Sequence, residues 1–344
     1  MKAISILWMM VIFLLACKPA VKEETESTET VDQSPVRIEI LDSDVEQILS
    51  KAAQIKTIAR GFNWAEGPLW LKEEQALIFS DVPENKIYRW SEPDSLSIWL
   101  EPSGYTGPPE KKREGSNGLL LDQKGRLILC QHGDRRIALM DTSTSAPKPR
   151  FITIADEWRN KRLNSPNDAA FFKGELFFTD PPYGLPGQDE DPEKELGING
   201  VYRIGNNGLV ILVENSLTRP NGIAFNETKN VMYVANSDPG NAVWMKYDMT
   251  DKNKPVSKVL FDATEEVGKA NGLPDGLKVH PSGYVFATGP GGVWIFSPED
   301  RLSARIHIPQ ATANCAFDDT FSHLFIAADS TMISVSLETA PLKK

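Results

Sequence analysis

The sequence has little cysteine, little histidine and no excess of basic residues, and each shortage excludes a class of protein. Its 344 residues include three cysteines, too few for a disulfide-rich scaffold of this length. The 47 acidic residues outnumber the 37 basic ones, and a net charge of −10 excludes a protein that neutralises nucleic-acid phosphates in bulk. The four histidines show no HxH or HExxH spacing, which argues against a zinc site built on histidine.

Several common catalytic motifs are missing as well. The sequence contains no GxSxG elbow of a serine hydrolase, no GxGxxG dinucleotide motif and no Walker loop. The GPGG segment at 289–292 lies between two predicted strands, whereas a phosphate-binding loop precedes a helix. Serine-hydrolase and nucleotide chemistry are therefore not expected.

The only long apolar run stands at the N-terminus. Residues 1–17, MKAISILWMMVIFLLAC, combine one lysine with an apolar stretch that is too short to span a bilayer stably. This pattern predicts a signal peptide, and Leu14-Leu15-Ala16-Cys17 resembles a bacterial lipobox, in which Cys17 is lipidated. The alternative is an ordinary signal peptide with an incidental cysteine.

Residues 18–36 are acidic and rich in Ser and Thr, which predicts a flexible tether. We therefore expect the protein to be lipid-anchored at a bacterial cell envelope, outside the cytoplasm, with no other contact with the membrane.

One pattern recurs along the rest of the chain at intervals of 39 to 54 residues. A Glu, Asn or Asp, usually followed by Gly, precedes an apolar run, a turn and a second β-rich run. A third run usually follows, as in KIYRW, GVYRI and GVWIF. The leading polar residues are Glu66, Asn117, Asn167, Asn221, Asp275 and, in a shorter unit, Asn314.

This repeat predicts an all-β fold, a six-bladed β-propeller over residues 37–344. The last unit stops after its third strand, so we expect KTIARGF near residue 60 to supply the missing strand and close the ring. Helical periodicity occurs at 43–55, which predicts a short N-terminal helical segment, and more weakly at 155–162. Cys130 and Cys315 fall in non-adjacent units and are expected to be isolated buried thiols.

The leading polar residues predict a functional site. The first strand of each blade lines the central channel, so side chains at one phase of the repeat converge on one mouth of it. A ring of carboxylate and amide oxygens there is typical of a Ca²⁺ site, with Zn²⁺ or Mg²⁺ as alternative metals. The competing interpretation is ordinary Asn-Gly turn chemistry, which does not explain Glu66 because Glu is a poor turn residue.

Several motifs in order resemble the gluconolactonase/regucalcin (senescence-marker-protein) family, in particular its bacterial gluconolactonase branch. They are AEGPLW, LNSPNDAAF, TDPPYGL, RPNGIAF and LPDGLKV. The resemblance implies a six-bladed propeller that holds one divalent metal, usually Ca²⁺, and hydrolyses lactones. It also implies that Glu66, Asn221 and Asp275 are metal ligands and that Asn167 reaches the substrate or water. The chain departs from regucalcin-type members at Ser165, where they carry an arginine that helps to hold a sugar acid.

The expected reaction is the opening of a lactone ring, most simply a sugar lactone, by water that the metal activates. The family favours Asp275 as the base, while Asn117 and Asn167 are predicted to bind the substrate or a developing oxyanion. His132 is either a second base or a histidine hydrogen-bonded at a blade edge, and the loop 181–199 either covers the channel mouth or is solvated. The alternative functions are phosphotriester hydrolysis at the same metal, or a non-enzymatic binding propeller whose metal is structural.

Overall fold

The computed structural model describes residues 36–93, 95–205 and 207–339. The predicted leader, its Cys17 and all but the last residue of the predicted tether lie outside this part of the chain. No helix within the described residues is long and apolar enough to cross a membrane.

The described residues form six antiparallel sheets of four or five strands, which are the blades of the propeller, and one separate two-stranded sheet. Two strands precede the first blade, β1 (Arg37–Ile40) and β2 (Ile55–Arg60). Blade 1 contains β3 (Ala65–Leu71), β4 (Ala76–Asp81), β5 (Lys86–Ser91) and β6 (Ser95–Leu100). Blade 2 contains β7 (Ser116–Leu121), β8 (Leu127–Gln131), β9 (Arg136–Met140) and β10 (Phe151–Ala155).

A two-stranded hairpin, β11 (Glu157–Trp158) and β12 (Lys161–Arg162), precedes blade 3. Blade 3 contains β13 (Ala169–Phe172), β14 (Glu175–Asp180), β15 (Gly200–Ile204) and β16 (Val210–Glu214). Blade 4 contains β17 (Pro220–Asn226), β18 (Val231–Asp238), β19 (Asn241–Asp248) and β20 (Val256–Asp262).

Blade 5 contains β21 (Leu277–Val279), β22 (Val285–Gly289), β23 (Gly292–Phe296) and β24 (Leu302–His307). Blade 6 contains β25 (Thr312–Phe317), β26 (His323–Ala328) and β27 (Thr331–Ser336). The first strand of each blade packs against the first strand of the next, and β25 packs against β3 to complete the circle. The predicted six-bladed propeller is confirmed.

The ring closes through strands from the two ends of the sequence. Strand β2 is the outer strand of blade 6 and pairs antiparallel with β27, with Ile55 opposite Val335. This confirms that the KTIARGF segment supplies the missing strand. Strand β1 extends blade 5 by pairing with β24, with Ile38 opposite Ile306.

The predicted helices are shorter than their periodicity indicates, or absent. The N-terminal helical segment is a single 3₁₀ helix, Ser43–Gln47, which the Asp42 side chain caps and which buries Val45. The weaker helical prediction for 155–162 was wrong, because this segment folds as the β11–β12 hairpin. Its apolar residue Trp158 packs on Tyr202 of blade 3 and does not form one face of a helix. The other 3₁₀ helices are Pro109–Lys111, Gln188–Glu190 and Thr264–Glu266.

Apolar clusters fill the wedges between neighbouring blades. One cluster joins Phe286 and Ile295 of blade 5 to Ile326 and Ile333 of blade 6. Cys130 and Cys315 are buried in two different clusters and are not bonded to each other, as predicted. This packing makes the inner strands a rigid frame for the side chains at the channel mouth.

Candidate active site at the channel mouth

The five leading polar side chains of blades 1 to 5 line one cavity of about 610 Å³. Glu66, Asn117, Asn167 and Asn221 are each at most 4% exposed, whereas Asp275 is partly exposed. The structure therefore brings together the predicted metal ligands and the predicted substrate-binding residues.

The register of strand pairing shifts in three of the inner strands, close to the leading polar residues. The register of β3 shifts between Glu66 and Leu69, and that of β7 shifts between Ser116 and Leu119. Strand β17 shifts between Pro220 and Ile223, around Asn221. A register shift of this kind is a β-bulge, which changes the direction of the side chains at that point of the strand. The three bulges lie at the leading polar residues.

The glycine that follows a leading residue lets adjacent blades approach each other closely. A Cβ atom at Gly222 would lie 2.4 Å from the backbone oxygen of Asp275, and one at Gly67 would lie 2.1 Å from that of Asn117. Gly222 does not have a positive φ, so its role is the close approach and not a left-handed turn. The close approach of neighbouring blades is thus a second reason, besides turn formation, for the glycine in the recurring Asn-Gly pair.

Several oxygen atoms at this mouth are buried and have no hydrogen-bond partner among the described residues. They are Oδ1 of Asn117, Oδ1 of Asn167, Oδ1 of Asn221 and Oδ1 of Asp275. Buried polar atoms are normally paired, and leaving one unpaired costs about 1–3 kcal/mol. Four such acceptors beside a buried carboxylate, Glu66, are the donor set that a hard oxygen-seeking cation requires.

The two carboxylates at the mouth form no ion pair with any described residue, although the charge of Lys278 lowers the pKa of Glu66. Burial raises the pKa of the Glu66 carboxyl to about 7; the Gly67 N–H lowers this pKa, and the charge of Asp168 raises it. Burial also raises the pKa of Asp275 well above its ordinary value, and the charges of Glu66 and Asp168 add to the increase. A bound cation would offset this repulsion.

Amide oxygens would have to complete any metal site here. No group of three or more His, Cys, Asp or Glu side chains in the described part of the chain is arranged to hold a metal ion. The residues present nevertheless fit Ca²⁺, because Ca²⁺ accepts neutral carbonyl oxygens together with carboxylates.

A second layer of polar groups holds the mouth residues in place. Ser237 Oγ accepts a hydrogen bond from Asn221 Nδ2 at 2.9 Å and donates one to the backbone oxygen of Pro274 at 2.5 Å. The hydroxyl therefore links the leading residues of blades 4 and 5. Sequence reasoning missed Ser237, because a serine near the end of a strand carries no distinctive pattern.

The start of the loop 181–199 contributes to the cavity through Tyr183. Burial raises the pKa of the Tyr183 hydroxyl, and the charge of Asp275 adds to this increase. Residues 186–195 of the same loop are mostly exposed. The start of the loop thus contributes to the cavity wall, and the rest of it is largely solvated.

Ser165 and Asp180 anchor this loop. Ser165 Oγ donates to the backbone oxygen of Pro181 at 2.7 Å and accepts from the N–H of Gly184 at 2.8 Å. Asp180 accepts from the N–H groups of Asn164 and Ser165, both at 2.8 Å. Ser165 thus organises the covering loop and does not line the cavity itself.

The rest of the wall comes from segments with no repeat pattern. Residues 267–273, which connect blades 4 and 5, line one side with the exception of Lys269, and Trp64, Val82 and Pro83 line another. These loops were not predicted as part of the site, because no periodicity or motif marks them.

A family model described as the SMP-30/Gluconolactonase/LRE-like region matches residues 64–330. The chain belongs to this family. A gluconolactonase of Zymomonas mobilis is 36% identical over 306 residues, which cover 86% of this chain and 84% of that protein. The resemblance to the bacterial gluconolactonase branch is therefore confirmed.

Solved structures agree with membership of the SMP-30/gluconolactonase family. A gluconolactonase from Xanthomonas campestris has a TM-score of 0.74 and 27% identity, covering 89% of this chain and 96% of that one. A regucalcin from Agrobacterium tumefaciens, described as a calcium-binding protein, shares the fold with a TM-score of 0.64 and 14% identity. That match covers 84% of this chain and 96% of the regucalcin chain.

Proposed function

We propose that this protein opens a sugar lactone by water attack, using one divalent cation held by Glu66, Asn221 and Asp275. The coarser conclusion follows from the family and from the gluconolactonase relative: the chain is a gluconolactonase-like lactone hydrolase. The observation that carries the finer proposal is the group of buried, unpartnered oxygen atoms around one cavity.

Ca²⁺ is the metal that these residues favour. Carboxylate and amide oxygens are hard ligands, and the site offers no thiolate or histidine cluster of the kind that selects zinc. Such a cation supplies Lewis acidity, which polarises a lactone carbonyl and makes a neighbouring water more acidic.

The chain's own groups supply the remaining steps. The Asp275 carboxylate has two oxygens, so one can face the cation while the other accepts the proton that water loses as it attacks the carbonyl carbon. Glu66 contributes negative charge to the cation site. The amide groups of Asn117 and Asn167 hydrogen-bond to sugar hydroxyls or to the oxyanion that develops on the carbonyl oxygen.

Lactone ring opening releases acid, so a pH-stat measures it directly. The purified protein is treated with a chelator, dialysed and assayed on gluconolactone, a simple aliphatic lactone and an aryl dialkyl phosphate. Each assay is repeated with Ca²⁺, Mg²⁺, Zn²⁺ or no metal. We expect turnover of the lactones that depends on Ca²⁺ and no turnover of the phosphate.

The other outcomes would contradict the proposal in distinct ways. Faster turnover of the phosphate than of either lactone would assign the site to phosphotriester hydrolysis. Lactone turnover that survives exhaustive chelation would remove the metal from the reaction. Ca²⁺ binding without turnover of any substrate would indicate a binding propeller.

A further inference from the structure

A buried histidine that the mechanism above does not use lies against the cavity. His132 directly follows β8 in blade 2, is 2% exposed and lines the same cavity as Glu66, Asn117 and Asp275. Its Nδ1 atom lies 2.9 Å from Oε2 of Glu114, a residue just before β7 that also lines the cavity.

The other ring nitrogen has nothing to bind within the described structure. Nε2 of His132 is buried and has no hydrogen-bond partner. His132 lines the cavity and has a carboxylate on one ring nitrogen and no partner on the other. Proton-transfer histidines use this arrangement, because the carboxylate fixes the orientation of the ring.

The backbone around the pair holds this geometry. The N–H of His132 donates to the backbone oxygen of Gly115, the residue after Glu114, at 3.1 Å. The loop 181–199 packs directly on the histidine, since a Cβ atom at Gly184 would lie 2.8 Å from the His132 Cβ. The backbone and Cβ of His132 are therefore held against the loop that Ser165 anchors.

The other three histidines do not line this cavity. His280 packs against Phe317 and Phe321, and burial lowers its pKa to about 4. His307 forms a close pair with Glu39, its Nε2 lying 2.6 Å from Oε2. His307 is thus a matched control, a carboxylate-paired histidine that is remote from the site.

We propose that His132 is a second catalytic residue, a proton donor to the ring oxygen of the lactone, and that Glu114 positions it. This role rests on the proposed lactone hydrolysis. Asp275 takes a proton from water as the new carbon–oxygen bond forms. The bond from the carbonyl carbon to the ring oxygen then breaks, and the departing oxygen receives the Nε2 proton of His132 in its imidazolium form, whose Nδ1–H stays on Glu114. The proton on Asp275 later passes to solvent, and His132 regains one from solvent.

A leaving-group comparison tests this role. An aliphatic lactone expels an alkoxide, which needs a proton, whereas an aryl lactone expels a phenoxide, whose conjugate acid has a pKa of about 10. We expect His132→Gln to lower kcat on the aliphatic lactone by about 10²–10³, within the range for a positioned general acid. On the aryl lactone the loss should be less than about fivefold, because the phenoxide can leave without a proton.

Three further measurements separate proton donation from a structural role. His307→Gln should leave kcat on both lactones within about twofold, since His307 is outside the cavity. Glu114→Gln should lower kcat about tenfold, again only on the aliphatic lactone, because it loosens the ring. His132→Gln should keep the wild-type affinity for Ca²⁺ measured by calorimetry, because His132 is not one of the proposed ligands.

The contrary results are distinguishable. Equal losses on the two lactones, or no loss on either, would overturn the assignment of His132 as proton donor. Loss of Ca²⁺ affinity in His132→Gln would overturn it as well and place the histidine at the metal. A wild-type protein that hydrolyses neither lactone would overturn the proposed function, and this role with it.

Discussion

The channel mouth and the channel interior both bury carboxylates, but they balance the negative charge differently. In the interior, Asp168 Oδ2 lies 3.7 Å from the ammonium group of Lys278. Lys278 Nζ also donates to Oδ1 of Asn314 at 3.2 Å. At the mouth, Glu66 and Asp275 form no ion pair within the described residues, although burial raises the pKa of both.

The difference indicates separate roles for the two clusters. The interior cluster carries its own cation and is complete without a ligand. The mouth has surplus negative charge and unpartnered oxygens, so it gains most from a cation that the chain does not supply. The following predictions test this contrast, from the largest expected effect to the smallest.

Asp275→Asn should have the largest effect. The amide oxygen still coordinates a hard cation, more weakly, but the proton acceptor is lost. We expect kcat at saturating metal to fall by about 10²–10⁴. If kcat stays within about threefold of wild type, less than 1 kcal/mol of barrier, Asp275 is not the base. Glu66→Gln is the control and should weaken metal binding, with activity largely restored by excess metal.

The metal-free protein should lose stability as pH rises from 5 to 8. The pKa of Glu66 is about 7 in the folded state and 4.5 ordinarily, so the folded state binds more protons between these values. The contribution of Glu66 to stability is therefore greatest below pH 4.5 and falls by about 3 kcal/mol toward pH 7.

Urea unfolding at several pH values measures this trend. Saturating Ca²⁺ should weaken this trend, and Glu66→Gln should remove the part that Glu66 contributes. A remainder should persist in both cases, because burial also raises the pKa of Asp180 to about 7. If the free energy of unfolding of the metal-free wild type does not change with pH, the excess negative charge proposed for the mouth is contradicted.

Lys278→Met should destabilise the interior cluster. Asp168 is buried, and removing its ammonium partner should lower the free energy of unfolding by about 2 kcal/mol, less than for a fully buried pair. The side chain of Lys278 is 32% exposed, which reduces the effect. The double variant Asp168→Asn/Lys278→Met should recover at least half of the loss. If Lys278→Met alone is as stable as wild type, the Lys278 ammonium group does not balance the charge of Asp168.

Asn167→Ala should act mainly on substrate affinity. If the Asn167 amide binds sugar hydroxyls equally in the ground state and in the transition state, KM rises about tenfold and kcat changes little. Comparing gluconolactone with a lactone that lacks hydroxyls checks this, since KM for the second should not move. If instead kcat falls on both substrates and KM does not change, Asn167 stabilises the oxyanion that develops on the carbonyl oxygen.

Cys17→Ser should have no effect on catalysis. We propose that Cys17 is the lipid anchor at the cell envelope, so this variant should leave the membrane fraction or remain unprocessed, with kcat and KM unchanged. Lipid labelling and membrane retention that persist in the variant would end the anchor proposal.

The convergence of the mouth residues was predictable because the repeat places them at one phase. Each blade of a propeller places the same position of the repeat at the same end of the channel. The residues that begin the apolar run of each repeat therefore meet there, namely Glu66, Asn117, Asn167, Asn221 and Asp275. The closing strand β2 was predictable for a similar reason, since blade 6 lacks a strand that an earlier segment matches.

Other parts of the site depend on contacts that no local pattern records. The interior pair was missed because Lys278 looks like an ordinary strand residue, although Asp168 stands where four other blades have glycine. The aspartate at this glycine position was the one sign in the sequence that residue 168 has a special role. The wall at 267–273 and the Glu114–His132 contact come from loops whose positions are set by tertiary packing.

The closing pair β2 and β27 has a consequence for how the chain assembles. Two strands from opposite ends of the propeller must meet in one sheet, so the ring cannot be completed until the last strand is available. Contacts this distant in sequence form slowly. A chain truncated before residue 331 would lack β27 and leave both β2 and β26 with unpaired edges, which are templates for aggregation. Loss of residues 55–60 would expose β27 in the same way, so damage at either end should yield insoluble protein and not a smaller propeller.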